Sequence, residues 1–155
     1  MRMALAVVAA SLAGVAACGG GGDGGPTNPQ NTSDSTLAAT IDGTPFSAST
    51  LTILTSATHI ALIGVNGAQS MGLGFDTKLG TQSSGTGGTA TVSVVIGQGS
   101  WGAGPNLATS SGTVTVTTAT SNHVAGTFSF TAVSIGGVST PATRQVTNGR
   151  FDVKF

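Results

Sequence analysis

Charge, cysteine and tyrosine are all scarce in this sequence, and each scarcity argues against a class of protein. Only 6% of the 155 residues are charged, and the formal net charge is zero. Without a basic stripe to neutralise phosphates, the chain lacks the electrostatic footprint of nucleic-acid binding. A single cysteine excludes an intrachain disulfide, so an exported domain has to be held by its own core. The absence of tyrosine, with one tryptophan, argues against the aromatic girdles of an integral outer-membrane barrel.

The residues that are abundant favour strands. Polarity comes from serine, threonine and 25 glycines rather than from charge. Threonine is β-branched and favours strands, whereas glutamate and lysine, which favour helices, are nearly absent. Valine, isoleucine, leucine and phenylalanine recur at regular spacing, which indicates a chain able to bury a core. Composition therefore predicts an all-β domain.

The first 17 residues have the layout of an export signal. Arg2 supplies the positive charge, and the apolar run Met3–Val15 follows it. This run is shorter than the about 20 residues of a membrane-spanning helix. The segment Val15-Ala16-Ala17-Cys18 resembles the lipobox of bacterial lipoproteins, which implies that Cys18 is diacylated and becomes the mature N-terminus. Two acyl chains suffice for stable anchoring. Ordinary secretory cleavage, leaving Cys18 as a free thiol, is the alternative.

Residues 18–36 are predicted to form the lipidated N-terminus and a flexible tether. Gly, Pro, Asn, Ser and Thr dominate this segment, and no apolar periodicity runs through it. A Gly-rich chain of this length spans on average roughly 25 Å. Gly19 stands where resembling lipoproteins carry an aspartate for inner-membrane retention, so the resemblance implies outer-membrane attachment.

Residues 37–155 are predicted to form one antiparallel β domain of about eight to nine strands, either a β-sandwich or a small β-barrel. Short apolar and polar alternations are separated by turn signals. The clearest turn is Asp42-Gly43, and the clearest alternation places Met71, Leu73 and Phe75 on one face.

Four further local expectations follow from the same pattern. The segment His59–Val65 is apolar on both faces, which predicts a central strand. Residues 76–88 are predicted to be a polar loop. Ser121-Asn122 is predicted to turn between two strands, and Asn148-Gly149 is predicted to be either a tight hairpin or a bulge.

Three segments of this domain resemble a family of small bacterial lipoproteins. They are ATIDGTPF at Ala39–Phe46, VAGTFSF at Val124–Phe130 and VTNGRFDV at Val146–Val153. In that family an acylated cysteine and a short linker precede an all-β domain of uncharacterised function. The resemblance covers roughly residues 37–155 and implies a fold and a location, but no activity.

Residues Gly97–Gly102 (GQGSWG) match the pattern G-x-G-x-x-G formally. A dinucleotide fingerprint also needs a helix after the third glycine and an acidic residue about 20 positions on. Here Gly104-Pro105 follows at once, and the next acidic residue is Asp152. We therefore expect a flexible loop between strands and no cofactor.

No catalytic or metal-binding constellation is visible. A Ser-His-Asp triad would need His59 or His123, and no G-x-S-x-G elbow accompanies either histidine. Zinc-ligand spacing is absent, and five scattered aspartates serve glycoside cleavage poorly. We expect no catalytic residue and no metal ligand.

Trp101 is the residue that composition offers for ligand binding. An indole on a Gly-rich loop can stack on a sugar ring, whereas the alternative is that Trp101 caps the open end of the core. The sequence as a whole predicts a lipid-anchored extracytoplasmic β domain that acts without catalysis as a binding or surface-structural module. Its expected partners are the membrane, through the lipid, and a glycan or a small apolar ligand, but not nucleic acid. A carrier of an apolar ligand inside a barrel, or less favourably a hydrolase, is the alternative.

Overall fold

A computed structural model of the chain describes residues 34–85, 87–137 and 139–155. The predicted signal segment, Cys18 and most of the predicted tether lie outside these residues. The described part is all-β, with 68% of it in strands. Within it, no helix is long and apolar enough to cross a membrane. Eleven strands alternate with turns: β1 Thr36–Ile41, β2 Thr44–Ser47, β3 Thr50–Thr55, β4 His59–Asn66, β5 Gln69–Asp76, β6 Gly80–Ser84, β7 Thr91–Ile96, β8 Gly99–Ala103, β9 Ser111–Ala119, β10 His123–Ser134 and β11 Thr143–Lys154.

The strands form one antiparallel sheet that curls into a half-barrel. The strand order is β2-β1-β11-β10-β8-β7-β5-β4-β3, and β9 and β6 branch from β10. This branch arises because the first part of β10 pairs with β9, whereas its last residues pair with β8. The predicted fold class is therefore confirmed.

The inner face of the curled sheet forms a single apolar core. The predicted alternation in β5 is confirmed, since Met71, Leu73 and Phe75 are all buried. Phe75 meets Phe151 of β11 across the interior, with ring centroids 4.7 Å apart, and Phe128 stacks on Phe151 at 6.4 Å. Side chains from distant strands thus touch in the middle of the half-barrel.

Two predicted turns are confirmed. Asp42 and Gly43 have φ angles of 48° and 83°, the pair of positive values that a two-residue type I′ hairpin requires. They connect β1 to β2, and Ile41 pairs with Thr44 directly beside them. Ser121 and Asn122 lie between β9 and β10, which pair with each other as a hairpin.

The strand count predicted from the sequence is too low. Residues 80–84 form β6, which pairs with β9, although residues 76–88 were expected to be a loop. The expected loop at 97–102 is likewise wrong, because Gly97 and Gln98 form a turn and β8 begins at Gly99. β6 (GTQSS) has no apolar residue, so its pairing depends on the neighbouring strand β9 rather than on its own hydropathy. β8 does alternate, since Trp101 and Ala103 are buried, but its glycines are typical of a loop.

β4 is an interior strand of the sheet, as predicted, and its outer face stays partly exposed. β4 lies inside the strand order, between β3 and β5, but only Ile60, Leu62 and Gly64 are buried. Ile63 and Val65 face outward and remain 41% and 38% exposed. No layer of the described chain covers this outer face.

Asn148-Gly149 resolves as a bulge rather than a hairpin. Phe128 pairs with Gly149 and Phe130 with Val146, so Ser129 opposes two residues of β11. Asn148 has a φ of 52°, the left-handed conformation that asparagine tolerates well. The bulge keeps β11 continuous as it follows the curl of the sheet.

The half-barrel has two ends, which we call the base and the top. The base contains the start of β1, the turn at residues 56–58, the turn at residues 120–122 and the C-terminal Phe155, which donates its N–H to Asn122. The top contains the Asp42-Gly43 turn, Trp101 and the start of β11 at Thr143. The described chain enters the domain at the base.

Candidate functional site

Trp101 lies in a buried position at the top, not on an exposed loop. Its side chain is in β8 opposite Val94, and only 2% of the residue is exposed. The indole N–H donates a hydrogen bond to the carbonyl oxygen of Pro141 at 2.7 Å. The guanidinium carbon of Arg144 lies 4.3 Å from the ring centroid. Trp101 therefore lies where the capping alternative places it, and ligand binding by Trp101 stays a prediction.

Arg144 and Asp42 complete the closure of the top. Arg144 Nη1 donates to Asp42 Oδ2 at 2.7 Å, and the Gln145 backbone N–H donates to Asp42 Oδ1 at 2.8 Å. Burial alone would raise the pKa of Asp42. These hydrogen bonds and the positive charge of Arg144 outweigh burial and hold the pKa of Asp42 below its ordinary value of 3.8. The ion pair thus joins the β1–β2 turn to β11, over the indole of β8.

The glycines of the G-x-G-x-x-G segment make room for packing around Trp101. Gly97 occupies the β7–β8 turn with a φ of 59°. A Cβ on Gly99 would lie within 2.6 Å of indole ring carbons of Trp101, and a Cβ on Gly102 would lie 2.9 Å from Leu107. The glycine spacing that matches the G-x-G-x-x-G pattern therefore has a structural explanation. Gly97 permits the tight turn, and Gly99 leaves room for the indole ring of Trp101 over the strand.

The arrangement at the top closes the core and offers few groups to solvent. Both carboxylate oxygens of Asp42 and the indole N–H already have partners. Arg144 Nε is buried without a hydrogen-bond partner among the described residues. The face of the indole that could stack on a ligand is covered by the guanidinium.

An open groove on the outer face of the sheet is the better candidate for binding, and we call it the glycine trough. Its floor is Gly72 and Gly74 of β5. Its walls are Ala61 and Ile63 of β4 on one side and Thr91 and Ser93 of β7 on the other. The groove encloses about 270 Å³. It exists because the outward positions in the middle of β5 carry no side chain.

Two polar groups converge at the base end of the trough, above Gly74. The position of a Cβ on Gly74 would lie 2.6 Å from Thr91 Oγ1 and 3.2 Å from His59 Nε2. The other ring nitrogen of His59, Nδ1, lies 3.2 Å from Asp76 Oδ1. Asp76 therefore orients the imidazole so that Nε2 points over the trough floor. The trough combines aliphatic walls with a hydroxyl and an imidazole nitrogen at one end.

The two histidines lie at the base in separate pairs. His123 Nε2 is 2.8 Å from Asp152 Oδ1, and His59 pairs with Asp76. Ser56 is close to His59, but its hydroxyl bonds the main chain of His59 rather than the imidazole. No group of three His, Cys, Asp or Glu side chains in residues 34–85, 87–137 and 139–155 is placed to hold a metal ion.

Sequence reasoning selected Trp101 as a candidate binding residue and Asp42-Gly43 as a turn, but it missed Pro141 and Arg144, which contact Trp101. Arg144 is 43 positions away from Trp101, and only the pairing of β8, β10 and β11 brings the two together. The glycine trough was visible only as the alternation of glycine with Met71 and Leu73 in β5. Cys18 lies outside the described residues. The chain matches no protein-family model, no curated protein and no solved structure, so its resemblance to small bacterial lipoproteins stays a prediction from the quoted segments.

Proposed function

We propose that this protein is a lipid-anchored, extracytoplasmic β domain on the outer membrane that works without catalysis, as a binding or surface-structural module. Its anchor would be Cys18, and its working surface would be the outside of the half-barrel. The N-terminal pattern supports the anchor. The position of the domain's start supports an outward-facing working surface. Because β1 starts at the base, a tether from the membrane would place the base nearest the lipid. The top and the upper part of the trough would then be directed away from the lipid.

The observation that carries the proposal is the filled interior. Phe151 of β11 contacts both Phe75 of β5 and Phe128 of β10 across the core. An eight-stranded barrel is just wide enough to hold one small ligand when its interior side chains leave space. A ligand inside this half-barrel would have to displace those rings from each other. The filled core therefore favours surface recognition over the alternative of an internal carrier.

The glycine trough is the surface that we propose for binding, and its chemistry suits a glycan. Sugar rings present an apolar C–H face together with hydroxyl groups at their edges. Ala61 and Ile63 offer an apolar wall, whereas Thr91, Ser93 and His59 Nε2 offer hydrogen-bonding groups on the opposite wall and at one end. A pocket with apolar walls and a few convergent polar groups is the usual form of a small-molecule site.

The anchor is tested by intact-mass analysis of the protein extracted from membranes in detergent. The mass is expected to correspond to a chain that begins at Cys18 and carries acyl groups, and a Cys18→Ser variant should lose both the acyl mass and membrane association. An unmodified cysteine, or a mature form without Cys18, contradicts the anchor and leaves the trough untouched.

The trough is tested by screening the protein against a glycan panel with two matched tryptophan variants. Ala61→Trp places an indole in the trough, whereas Ala125→Trp places one on the outer face of β10, at an alanine that is also half-buried. Binding should be lost in Ala61→Trp and kept in Ala125→Trp. Binding that survives in Ala61→Trp but is lost in Trp101→Phe would assign recognition to Trp101 instead, and no binding by any glycan would contradict the proposal.

A further inference from the structure

The curled sheet has three edge strands in the described chain, and they differ in how far they are protected from pairing with another strand. β2 and β3 are the two ends of the strand order, and β6 is the outer strand of the branch. An exposed edge carries unpaired N–H and C=O groups that can pair with another strand, so folded proteins usually shorten it, cover it or interrupt it with proline or charge.

The edges at β2 and β6 are both interrupted. β2 has four residues, and one of them is Pro45, which cannot donate to a ladder. The side chain of Asn66 also covers the carbonyl oxygen of Ser47 at 2.9 Å. At β6, the Ala90 N–H bonds the carbonyl oxygen of Ser83, at 3.1 Å.

The side chain of Gln82 joins β6 to the main chain at the end of β5. Its Oε1 accepts from the Asp76 N–H at 2.7 Å, and its Nε2 donates to the Asp76 carbonyl at 2.6 Å. The amide of Gln82 thus pairs with the N–H and C=O of Asp76 in the way that the main chain of a neighbouring strand would. The branch is therefore tied to the end of β5, although three of the five residues of β6 are exposed.

Over Thr50–Leu54 in the described chain, the edge at β3 has none of these devices. The strand is TLTILT, with no proline, no glycine and no charged residue. Within residues 34–85, 87–137 and 139–155, β3 pairs only with β4, and no hydrogen bond from another segment reaches the main chain of Thr50–Leu54. Leu54 is 40% exposed beside this edge, and Ile63 and Val65 lie exposed on the adjacent strand. A regular, uncharged and apolar edge of this kind is suited to strand addition.

We propose that β3 pairs in antiparallel orientation with β3 of a second copy, so that the sheet continues from one molecule into the next. A two-fold axis perpendicular to the sheet places Thr52 opposite Thr52 of the second copy. In that register Leu51 lies opposite Ile53, and Leu54 lies opposite Thr50. Every inward residue then meets an inward residue, so both cores stay on the same side of the joined sheet.

Two observations favour a second copy over other occupants. The chain has a formal net charge of zero, and neither β3 nor β4 contains a residue of the types Asp, Glu, Lys or Arg, so nothing repels an identical surface. The chain's own segment at 19–33 contains six glycines in 15 residues, together with Pro26 and Pro29, and glycine and proline are poor partners for a strand edge. The proposal does not depend on the lipid anchor or on the glycine trough.

Disulfide trapping in the full chain tests this pairing directly. Directly opposite residues of antiparallel strands have Cα atoms about 4.5–5.5 Å apart, within the about 4.4–6.8 Å that a disulfide spans. Under mild oxidation Thr52→Cys should give a covalent dimer. Thr113→Cys, on the outer face of β9, should give no more dimer than the parent chain, which controls for Cys18 and for copies that merely share a micelle.

A charge substitution gives an independent measurement. Thr52→Lys would place two ammonium groups opposite each other, and sedimentation should show self-association weakened about fivefold or more, whereas Thr113→Lys should leave it unchanged. The proposal is overturned if Thr52→Cys cross-links no more than Thr113→Cys. It is also overturned if mass spectrometry of Thr52→Cys shows the introduced thiol joined to another polypeptide or to the N-terminal segment, or if the parent chain is monomeric at all concentrations.

Discussion

The top and the base of the half-barrel both carry ion pairs, but the pairs have different surroundings. At the top, the side chain of Arg144 is 20% exposed, lies on a buried indole and bonds Asp42 at 2.7 Å. At the base, the side chain of Lys154 is 57% exposed and lies 3.9 Å from Asp34. Solvent and salt screen the second pair, whereas the first is fixed by the ring beneath it and by the Gln145 N–H. An ion pair between a basic residue and an aspartate therefore stabilises the fold at the top, whereas the corresponding pair at the base contributes little.

Trp101→Ala tests this comparison most severely. It removes the largest buried side chain of the top, together with the hydrogen bond to Pro141 and the platform under Arg144. We expect a loss of about 3–5 kcal/mol in the free energy of unfolding, measured by urea denaturation. Trp101→Phe, which keeps a ring but loses the N–H donor, should lose clearly less. A loss below about 1 kcal/mol in Trp101→Ala would contradict the capping role.

Arg144→Met keeps an apolar side chain over the indole and removes the charge. The cation–π contact and the ion pair are both lost, and we expect a decrease of about 1–2 kcal/mol in the free energy of unfolding. The matched substitution at the base, Lys154→Met, should change it by no more than about 0.5 kcal/mol. Equal losses in the two variants would remove the distinction between the two ends.

Acid should weaken the top through Asp42. The pKa of Asp42 is held below its ordinary value of 3.8, so its charged form is favoured in the folded chain. The stability from this carboxylate is fully present above the unfolded-state pKa and is lost as the pH falls from about 4 through the lower folded-state pKa. The difference in unfolding free energy between the parent and Asp42→Asn should therefore be constant from pH 5 to 7 and should shrink below pH 4. A difference that does not change with pH would contradict this assignment.

The sequence predicts those parts of the fold in which one local signal decides the structure. Asp42-Gly43 specifies its hairpin because two consecutive positive φ angles suit few other residue pairs. Met71, Leu73 and Phe75 specify the inward face of β5 because a strand alternates its side chains. In both cases the information lies within a few neighbouring residues, and the structure confirms the prediction.

The remainder depends on strands that are distant in the sequence. β6 is GTQSS, which reads as a loop, and it becomes a strand because β9 supplies its partner. The bulge at Asn148 and the stacking of Arg144 on Trp101 both follow from the register of β10 with β8 and β11. The glycine trough likewise requires knowing that β4 and β7 flank β5. The candidate site is formed by the pairing of strands that are far apart in the sequence, and this pairing cannot be derived from a single sequence.

The smallest expected effect is at the base, where His123 meets Asp152. Their side chains are partly exposed, and the closest atoms are 2.8 Å apart. Because water surrounds this pair, His123→Gln should change the free energy of unfolding by no more than about 1 kcal/mol at neutral pH. Urea denaturation of His123→Gln beside Arg144→Met measures the two ends on one scale. A loss in His123→Gln as large as that in Arg144→Met would mean that a short contact between two polar side chains is enough to stabilise this fold, without a buried ring beneath it.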